Sequence, residues 1–209
     1  MTQLLFIGWP KIIIFAVDIS KDKQEVLFIM TEEEMLANKE RIKSLLMSTG
    51  RQGIENVLAY LEKHDFYEVP SSLRRHHNWP GGLAQHCLGV YDRLKATGEG
   101  LPEDSMILTA LLHDICKARK IYKDSNGKWK ERPDHELHYK GHGSRSVKIL
   151  ENTCGLQLTP EERKAIRFHM GGYNLPKEDL REFFANKNNS LWRRLMNADR
   201  YDASKGKSS

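Results

Sequence analysis

The chain has 209 residues, which is enough for one domain with a hydrophobic core and short for two. Hydrophobic residues make up 39% and charged residues 29%, and this balance excludes a largely disordered chain. The formal net charge of +5 suits an anionic ligand, but the lysines and arginines are scattered and give little support for a nucleic-acid partner.

The first 30 residues are predicted to be an N-terminal extension, and residues 31–209 a single helical domain. Leu4 to Val17 is apolar but interrupted by a proline and a lysine, so it is too short to span a membrane and is predicted to form a strand or hairpin. It lacks the basic segment and the small-residue cleavage site of a secretory signal. In an alternative interpretation translation begins at Met30, because the residues that follow resemble a capped helix with an acidic first turn.

From Thr31 onward the hydrophobic pattern is helical, and turns rich in glycine and proline separate the helices. Seven helices are predicted: Glu32 to Met47, Ile54 to Lys63, Leu83 to Lys95, Glu103 to Arg119, His142 to Thr153, Pro160 to Met170 and Ser190 to Ala203. Ile121 to Trp129 has aromatic residues on both sides of an Asn-Gly pair, which indicates a small β-hairpin. The predicted fold is therefore an all-α bundle with one small hairpin.

One predicted helix carries a histidine and an aspartate in an apolar environment. Met106 to Ala118 is apolar nearly all round, which predicts a helix at the centre of the bundle with His113 and Asp114 in the core. Burial of this pair is costly unless its charge is compensated, and a divalent cation does so while using both residues as ligands. The two oxygens of Asp114 could then bridge two ions. The alternative is that Asp114 only caps a core histidine.

Four more candidate ligands lie on four other predicted helices. His86 is at the edge of an apolar face, His142 begins a helix, His169 lies near the end of another, and Asp199 is on the last. Imidazole and carboxylate ligands suit catalytic metal ions, and we expect one or two divalent ions of Mn, Fe, Ni, Zn or Mg. The three cysteines have no CxxC spacing, so neither a structural zinc site nor a disulfide framework is supported, and a cytoplasmic location is expected.

The order of these residues, H, then HD, then D, resembles the signature of the HD superfamily of metal-dependent phosphohydrolases. The words RRHHNWPGGLAQHCLGVYDRL and LLHDICKA are similar to segments of the HD domains joined to 3′→5′ exoribonucleases, and NADRYDA resembles the terminal ADxxDA stretch. His142 and His169 correspond to the two further histidines with which many members complete a two-metal site. The resemblance covers residues 76–203 and implies an HD-domain helical bundle. The ligands it implies are His86, His113, Asp114, His142, His169 and Asp199.

The chain also departs from the family pattern. Cys116 stands where glycine is usual in the HDIGK word, and the GYP word of cyclic dinucleotide phosphodiesterases is missing, which disfavours cyclic di-GMP. Only about 75 residues precede His76, and they contain no recognisable nucleic-acid-binding module, which weakens an exoribonuclease role. The expected partner is a small phosphorylated or nucleotide-like substrate. Nucleic acid is neither excluded nor indicated, and the oligomeric state is not predicted.

The resemblance implies hydrolysis of a phosphoester or phosphoanhydride by a metal-bound hydroxide, with Asp114 at the centre of the site. Lys117 shares the helix face of the HD pair and is predicted to contact a phosphate, the alternative being a solvated lysine. Arg145, one turn after His142, is predicted to orient a phosphate, the alternative being a surface ion pair. His77 is predicted to be a leaving-group acid or a substrate contact, the alternative being loop packing.

Two other functions stay open at this point. Some HD proteins that resemble myo-inositol oxygenase use a comparable ligand set for di-iron oxidation rather than hydrolysis. Degenerate HD domains can also act as regulatory modules that bind a nucleotide without turnover. The presence of every ligand position in this chain argues against the regulatory interpretation.

Overall fold

The computed structural model describes residues 30–137, 141–171, 177–185 and 190–206. In these ranges it is an all-α bundle with one small hairpin, as predicted. The elements are α1 (Glu32–Ser48), α2 (Ile54–Lys63), α3 (Gly82–Thr97), α4 (Glu103–Leu112), α5 (Cys116–Lys120), β1 (Ile121–Lys123), β2 (Trp129–Glu131), a 3₁₀ turn (Asp134–Glu136), α6 (His142–Lys148), a π-helical turn (Ile149–Thr153), α7 (Pro160–Phe168), α8 (Lys177–Ala185) and α9 (Ser190–Lys205).

Two of the helices begin with the same capping arrangement. At the start of α1 the side chain of Thr31 accepts the N–H of Glu34, whose carboxylate accepts the N–H of Thr31 in return. Thr159 and Glu162 repeat this box at the start of α7. Each box satisfies two backbone donors that the first helical turn would leave unpaired, so the sequence fixes both start points locally.

The core lies where α3, α4, α7 and α9 meet. Helix α3 packs against α4 and α9, while α7 packs against α4, α6 and α9. Every residue of α4 from Ser105 to Leu112 is buried, which confirms the prediction that this apolar segment is the central helix. The candidate ligands lie on these elements and on the turn that follows α4.

The predicted continuous helix from Glu103 to Arg119 is wrong, because the chain breaks at the HD pair. The N–H of His113 still donates to Thr109, as in an α-helix. The next turns are tighter, since Ile115 donates to Leu112 and Lys117 donates to Asp114, each only three residues back. The break separates α4 from α5, and the HD pair lies in the turn between them.

Two further predictions differ from the structure. The helix predicted over 142–153 is α-helical only as far as Lys148, and its last turn is a π-helix in which Cys154 donates to the carbonyl of Ile149. Helix α8 is not among the seven predicted helices. Its KEDLREFFA sequence has apolar residues at helical spacing, and that signal was missed.

The predicted hairpin is confirmed. β1 and β2 pair antiparallel, with Ile121 opposite Glu131. The side chain of Asp124 accepts the backbone N–H groups of Asn126 and Lys128, which is the usual way an aspartate closes a tight turn. The local turn sequence therefore indicates this element, and Ile121 in addition packs into the core of the bundle.

The predictions for the N-terminal extension fall on residues 1–29 and lie outside the described residues. Within the ranges that the structure describes, no helix has the length and hydropathy needed to cross a membrane. The division of the chain at residue 30 stays a prediction.

Candidate metal centre

The six side chains predicted to be metal ligands converge inside the bundle. They come from α3, the turn after α4, the first residue of α6, the residue after α7, and α9. These side chains are His86, His113, Asp114, His142, His169 and Asp199. Most are at most 2% exposed, but the side chains of His142 and Asp199 are 26% and 13% exposed. The exposed edges of these two residues mark the side on which solvent reaches the cluster.

Asp114 lies at the centre, and its two oxygens face different histidines. Oδ2 is 3.5 Å from Nε2 of His113 and 3.8 Å from Nε2 of His86. Oδ1 is 3.4 Å from Nε2 of His169 and is paired with Nε2 of His142. The cluster therefore divides into two halves that share one carboxylate.

Asp199 completes the first half. Its Oδ1 is 3.2 Å from Nε2 of His86 and 3.9 Å from Nε2 of His113. We call these three residues with Oδ2 of Asp114 the His86 subsite, and His142 and His169 with Oδ1 of Asp114 the second subsite. Two nitrogen ligands about 2.1 Å from a tetrahedral ion are roughly 3.4 Å apart, so the spacings suit a shared ion.

The protonation pattern of the histidines also suits a cation. Nδ1 of His113 donates to the carbonyl of Ala110 over 2.9 Å, and Nδ1 of His169 donates to that of Ile166 over 2.7 Å. Their Nε2 atoms, and that of His86, are buried without a hydrogen-bond partner within the part of the chain that the structure describes. A buried acceptor without a partner costs about 1–3 kcal/mol, and a metal ion removes this cost. The residues present therefore fit a divalent metal ion.

Lys117 forms an ion pair with the shared carboxylate. Its Nζ is 2.6 Å from Oδ2 of Asp114 and 3.2 Å from Oγ of Ser71, and its side chain is 16% exposed. Burial lowers the pKa of Lys117, but Asp114 outweighs burial and raises it. Burial likewise raises the pKa of Asp114, but Lys117, His113 and His142 hold it well below its usual range. Both groups are therefore charged at neutral pH.

The second subsite depends on close packing of α6 against α7. A Cβ at Gly143 would overlap the carbonyl oxygen of Arg167, so only glycine allows the two backbones to approach this closely. The ring of His142 consequently lies 5.3 Å from the ring of His169, centroid to centroid. A small residue next to a ligand thus brings together two histidines that are 27 positions apart in the sequence.

The pKa values of the histidines differ with their partners. Burial lowers the pKa of His113 to about 4, so its ring is neutral and available as a ligand. Burial also lowers that of His86, but Asp199 and Asp202 outweigh it and raise the pKa to about 8. For His142, burial is outweighed by the interactions with Cys116 and Asp114, and the pKa rises to about 10.

The comparison with protein families agrees with this geometry. A family model described as HD domain matches residues 83–204, more than half of the chain. The chain belongs to the HD-domain family. Membership supports metal-dependent phosphohydrolase activity in general terms, and the HD domain contains all six candidate ligands. Searches of curated proteins and of solved structures found no match to the chain. The likeness to exoribonuclease HD domains stays a prediction.

Arg145 and His77, which are predicted to act in catalysis, contact residues other than the six candidate ligands. Arg145 is buried, and its Nη2 is 3.4 Å from Oδ1 of Asp134 in the 3₁₀ turn. His77 is also buried, with Nδ1 3.2 Å from Nδ1 of His76 and Nε2 3.4 Å from Oδ2 of Asp202. No finding tests a catalytic role for either residue, and both roles stay predictions.

Cys116 stands next to the second subsite, at the position where the family usually has glycine. Its Sγ is 3.3 Å from Nδ1 of His142, and its N–H donates to Oγ of Ser146. The departure from the family pattern therefore puts a sulfur atom behind a candidate ligand. Cys116 is a free cysteine, and its side chain fills buried space in the HD domain.

The sequence analysis did not single out Asp202. Its Oδ2 is 2.7 Å from Nδ1 of His86, on the opposite side of the ring from Asp199. The word NADRYDA contains both aspartates three positions apart, a spacing that puts them on the same face of a helix. That spacing could have indicated a second carboxylate at the site.

Proposed function

We propose that the chain hydrolyses a phosphoester or phosphoanhydride bond in a nucleotide-like substrate with the help of two divalent ions. The observation that carries the proposal is that Asp114 turns one oxygen to each of two groups of histidines. One ion would be held by the His86 subsite and the other by the second subsite. The family supports the general reaction class, and the substrate class and the number of ions belong to this proposal.

A divalent ion held in this way lowers the pKa of a coordinated water and neutralises charge on phosphate oxygens. The protein supplies the framework for this chemistry. Asp114 fixes the distance between the subsites, because one rigid carboxylate belongs to both. Ala110 and Ile166 hold His113 and His169 with the lone pair of Nε2 turned inward, since their carbonyls accept the Nδ1 protons.

Substrate is expected to approach on the side where His142 and Asp199 are partly exposed. Lys117 borders Asp114 and is proposed to donate a hydrogen bond to a phosphate oxygen of the substrate. Arg145 is proposed as a second phosphate contact. Arg145 and His77 are both only 5% exposed, and the role of His77 as a leaving-group acid or substrate contact stays a proposal on the same terms as that of Arg145.

Hydrolysis then requires few other groups from the protein. A P–O bond breaks, the oxygen of water becomes bonded to phosphorus, and the departing oxygen takes up a proton. The charge that develops on the phosphate is opposed by the Lys117 ammonium. No side chain has to become covalently attached to the substrate.

The test is a metal analysis followed by an activity screen. The metal content of the untreated protein is counted per chain, and protein loaded with Mn²⁺ or Fe²⁺ is assayed with nucleotides, dinucleoside polyphosphates and short RNA. We expect two ions per chain and release of phosphate or a nucleoside phosphate. Asp114→Asn should abolish both. Asp92→Asn is the matched control, because Asp92 is an exposed carboxylate on α3 that pairs with Arg41.

Two results would contradict the proposal. A loaded protein that turns over none of these substrates would favour the regulatory interpretation, especially if it binds a nucleotide. Oxygen consumption together with a mixed-valence iron signal in electron paramagnetic resonance would favour a di-iron oxygenase. A colourless, active Mn²⁺ enzyme would exclude the oxygenase.

A further inference from the structure

The ring of His86 lies between two carboxylates of α9. Nε2 is 3.2 Å from Oδ1 of Asp199, while Nδ1 is 2.7 Å from Oδ2 of Asp202. An ionised carboxylate can only accept hydrogen bonds, so the short contact with Asp202 requires the proton on Nδ1. When the ring is neutral, the lone pair of Nε2 then points toward Asp199 and the rest of the His86 subsite.

Gly89 shows that the fold makes room for Asp202. It lies inside α3, one turn after His86, where glycine costs about 1 kcal/mol of helix stability relative to alanine. A Cβ at this position would overlap Oδ1 of Asp202 and lie 2.7 Å from its Cγ. The Asp202 carboxylate therefore packs against the backbone of α3 at Gly89, in the space that a side chain would occupy.

The other side of Asp202 is enclosed by the loop before α3. Nε2 of His77 is 3.4 Å from Oδ2 of Asp202. The N–H of His77 donates to the carbonyl of Gly206 over 2.8 Å, and a Cβ at Gly206 would overlap the His77 ring. The end of α9 is thus attached to the loop that covers His86, and Asp202 is restrained from both sides.

From these contacts we propose that Asp202 is a positioning residue, which fixes the tautomer and orientation of His86 for metal binding, and that glycine at position 89 is required to admit it. The proposal rests on the proposed function only in assigning a metal ion to Nε2 of His86. Carboxylates behind metal-bound histidines typically contribute roughly 10–100-fold to metal affinity. A loss of that size is the expected effect.

The first experiment measures Mn²⁺ affinity by calorimetry in three variants of the Asp202 site and in one control variant. Asp202→Leu removes the acceptor at similar side-chain size and should weaken binding at the His86 subsite by roughly 10–100-fold. Asp202→Asn keeps an acceptor oxygen and should retain most of the affinity. Gly89→Ala should act like Asp202→Leu although alanine favours the helix, because its Cβ displaces the flexible end of Asp202. Asp92→Asn should leave the affinity unchanged.

The Gly89→Ala and Asp202→Leu changes should not be additive. If Gly89→Ala acts by displacing Asp202, then it has nothing left to displace in the Asp202→Leu protein, and the double variant should bind Mn²⁺ as weakly as Asp202→Leu alone. Additive losses would overturn the role given to Gly89. Wild-type affinity in Asp202→Leu would overturn the role given to Asp202.

The second experiment does not depend on metal or activity. Nitrogen NMR of the metal-free protein, at alkaline pH where His86 is neutral, should show the proton on Nδ1 in the wild type and a mixture of tautomers in Asp202→Leu and Gly89→Ala. A merely structural role would lower stability without changing the tautomer. If the wild type binds no Mn²⁺, the proposed function fails, and the tautomer alone decides the role of Asp202. A proton on Nε2 in the wild type would overturn it.

Discussion

Two carboxylates, Asp114 and Glu162, are buried in the same bundle with different sets of neighbours. Glu162 is fully buried and accepts hydrogen bonds from the guanidinium of Arg51 at 2.5 Å, the hydroxyl of Ser105 at 2.7 Å and the N–H of Thr159 at 2.8 Å. We call these four residues the Glu162 cluster. Among the residues that the structure describes, three donors hydrogen-bond to this carboxylate, so the cluster is satisfied by the protein itself.

Asp114 has a mixture of cationic donors, among them Lys117 and His142, and of unprotonated ring nitrogens around it. The Nε2 atoms that face it from His113 and His169 have their ring protons on the other nitrogen, and Lys117 is its cationic partner. A buried carboxylate among lone pairs is unfavourable unless a cation joins them. Both carboxylates are buried and charged, so burial and charge do not distinguish the two clusters. What distinguishes a structural polar cluster from a binding site is whether the protein itself supplies a donor for each buried acceptor.

The largest effect should come from Asp114→Asn. The amide cannot offer an anionic oxygen to each subsite, so both metal sites weaken and we expect phosphohydrolase activity to fall on the order of 10³-fold or more. Bound Mn²⁺ per chain and the rate of phosphate release measure the two effects. Glu162→Gln is the matched change in the other cluster and should leave both quantities close to the wild type. A fully active Asp114→Asn protein would remove Asp114 from the metal centre.

In the Glu162 cluster the effect should appear in stability alone. Arg51→Ala leaves the buried Glu162 carboxylate without its cation, so the free energy of unfolding should fall by about 3 kcal/mol, measured by urea denaturation. Mn²⁺ affinity should not change. The control is Arg41→Ala, which breaks an exposed pair with Asp92 and should cost less than about 1 kcal/mol. Equal losses in the two variants would show that the Glu162 cluster is not structurally important.

The sequence predicted much of the fold because helix periodicity and capping are local. The capping box at Thr31, the hairpin after Ile121 and the buried helix that begins at Glu103 are each specified by nearby residues. The break at His113 is not specified in this way. Its neighbours are helix-compatible, and the chain changes to tighter turns only where the HD pair meets side chains from other helices.

The ligand set was predictable from residue types and their order, but its surroundings were not. Asp202 acts on His86 from 116 residues away, and its approach requires glycine at position 89 on another helix. An isolated glycine in a helical pattern indicates only a cost in helix stability until the partner that fills its space is known. The Glu162 cluster was missed for the same reason, since Arg51 and Ser105 reach it from separate elements.

Metal ions should stabilise the protein by binding at the candidate ligands around Asp114 and not at the Glu162 cluster. Each ion that binds the folded state and not the unfolded state adds about 2.7 kcal/mol at a free concentration 100 times its dissociation constant. We therefore expect Mn²⁺ to raise the thermal midpoint of the wild type and of Arg51→Ala alike, as followed by circular dichroism. The midpoint of Asp114→Asn should stay fixed. An equal rise in Asp114→Asn would place the bound ion elsewhere.

The smallest expected effect is a pH dependence of stability in the metal-free protein. The pKa of His113 is lowered from 6.5 to about 4 in the folded protein. Between these two pH values the unfolded chain binds more protons than the folded chain, so stability is lost as pH falls from 6.5 to about 4. The pKa of His86 is raised to about 8, and its contribution, complete below 6.5, is lost as pH rises to 8. His142, raised to about 10, acts in the same direction as His86.

Stability in the presence of a chelator should therefore be greatest near pH 6.5, where neither loss has begun, and urea denaturation across a pH series measures it. Metal ions bind the deprotonated rings, so Mn²⁺ should move the optimum to higher pH. Arg51→Ala should lower the part of the profile above pH 6.5 without changing its shape there, because the Glu162 cluster contains no histidine. A flat profile in the metal-free wild type would mean that His113 and His86 do not oppose each other, and a changed shape of that part in Arg51→Ala would mean that the two polar clusters are coupled.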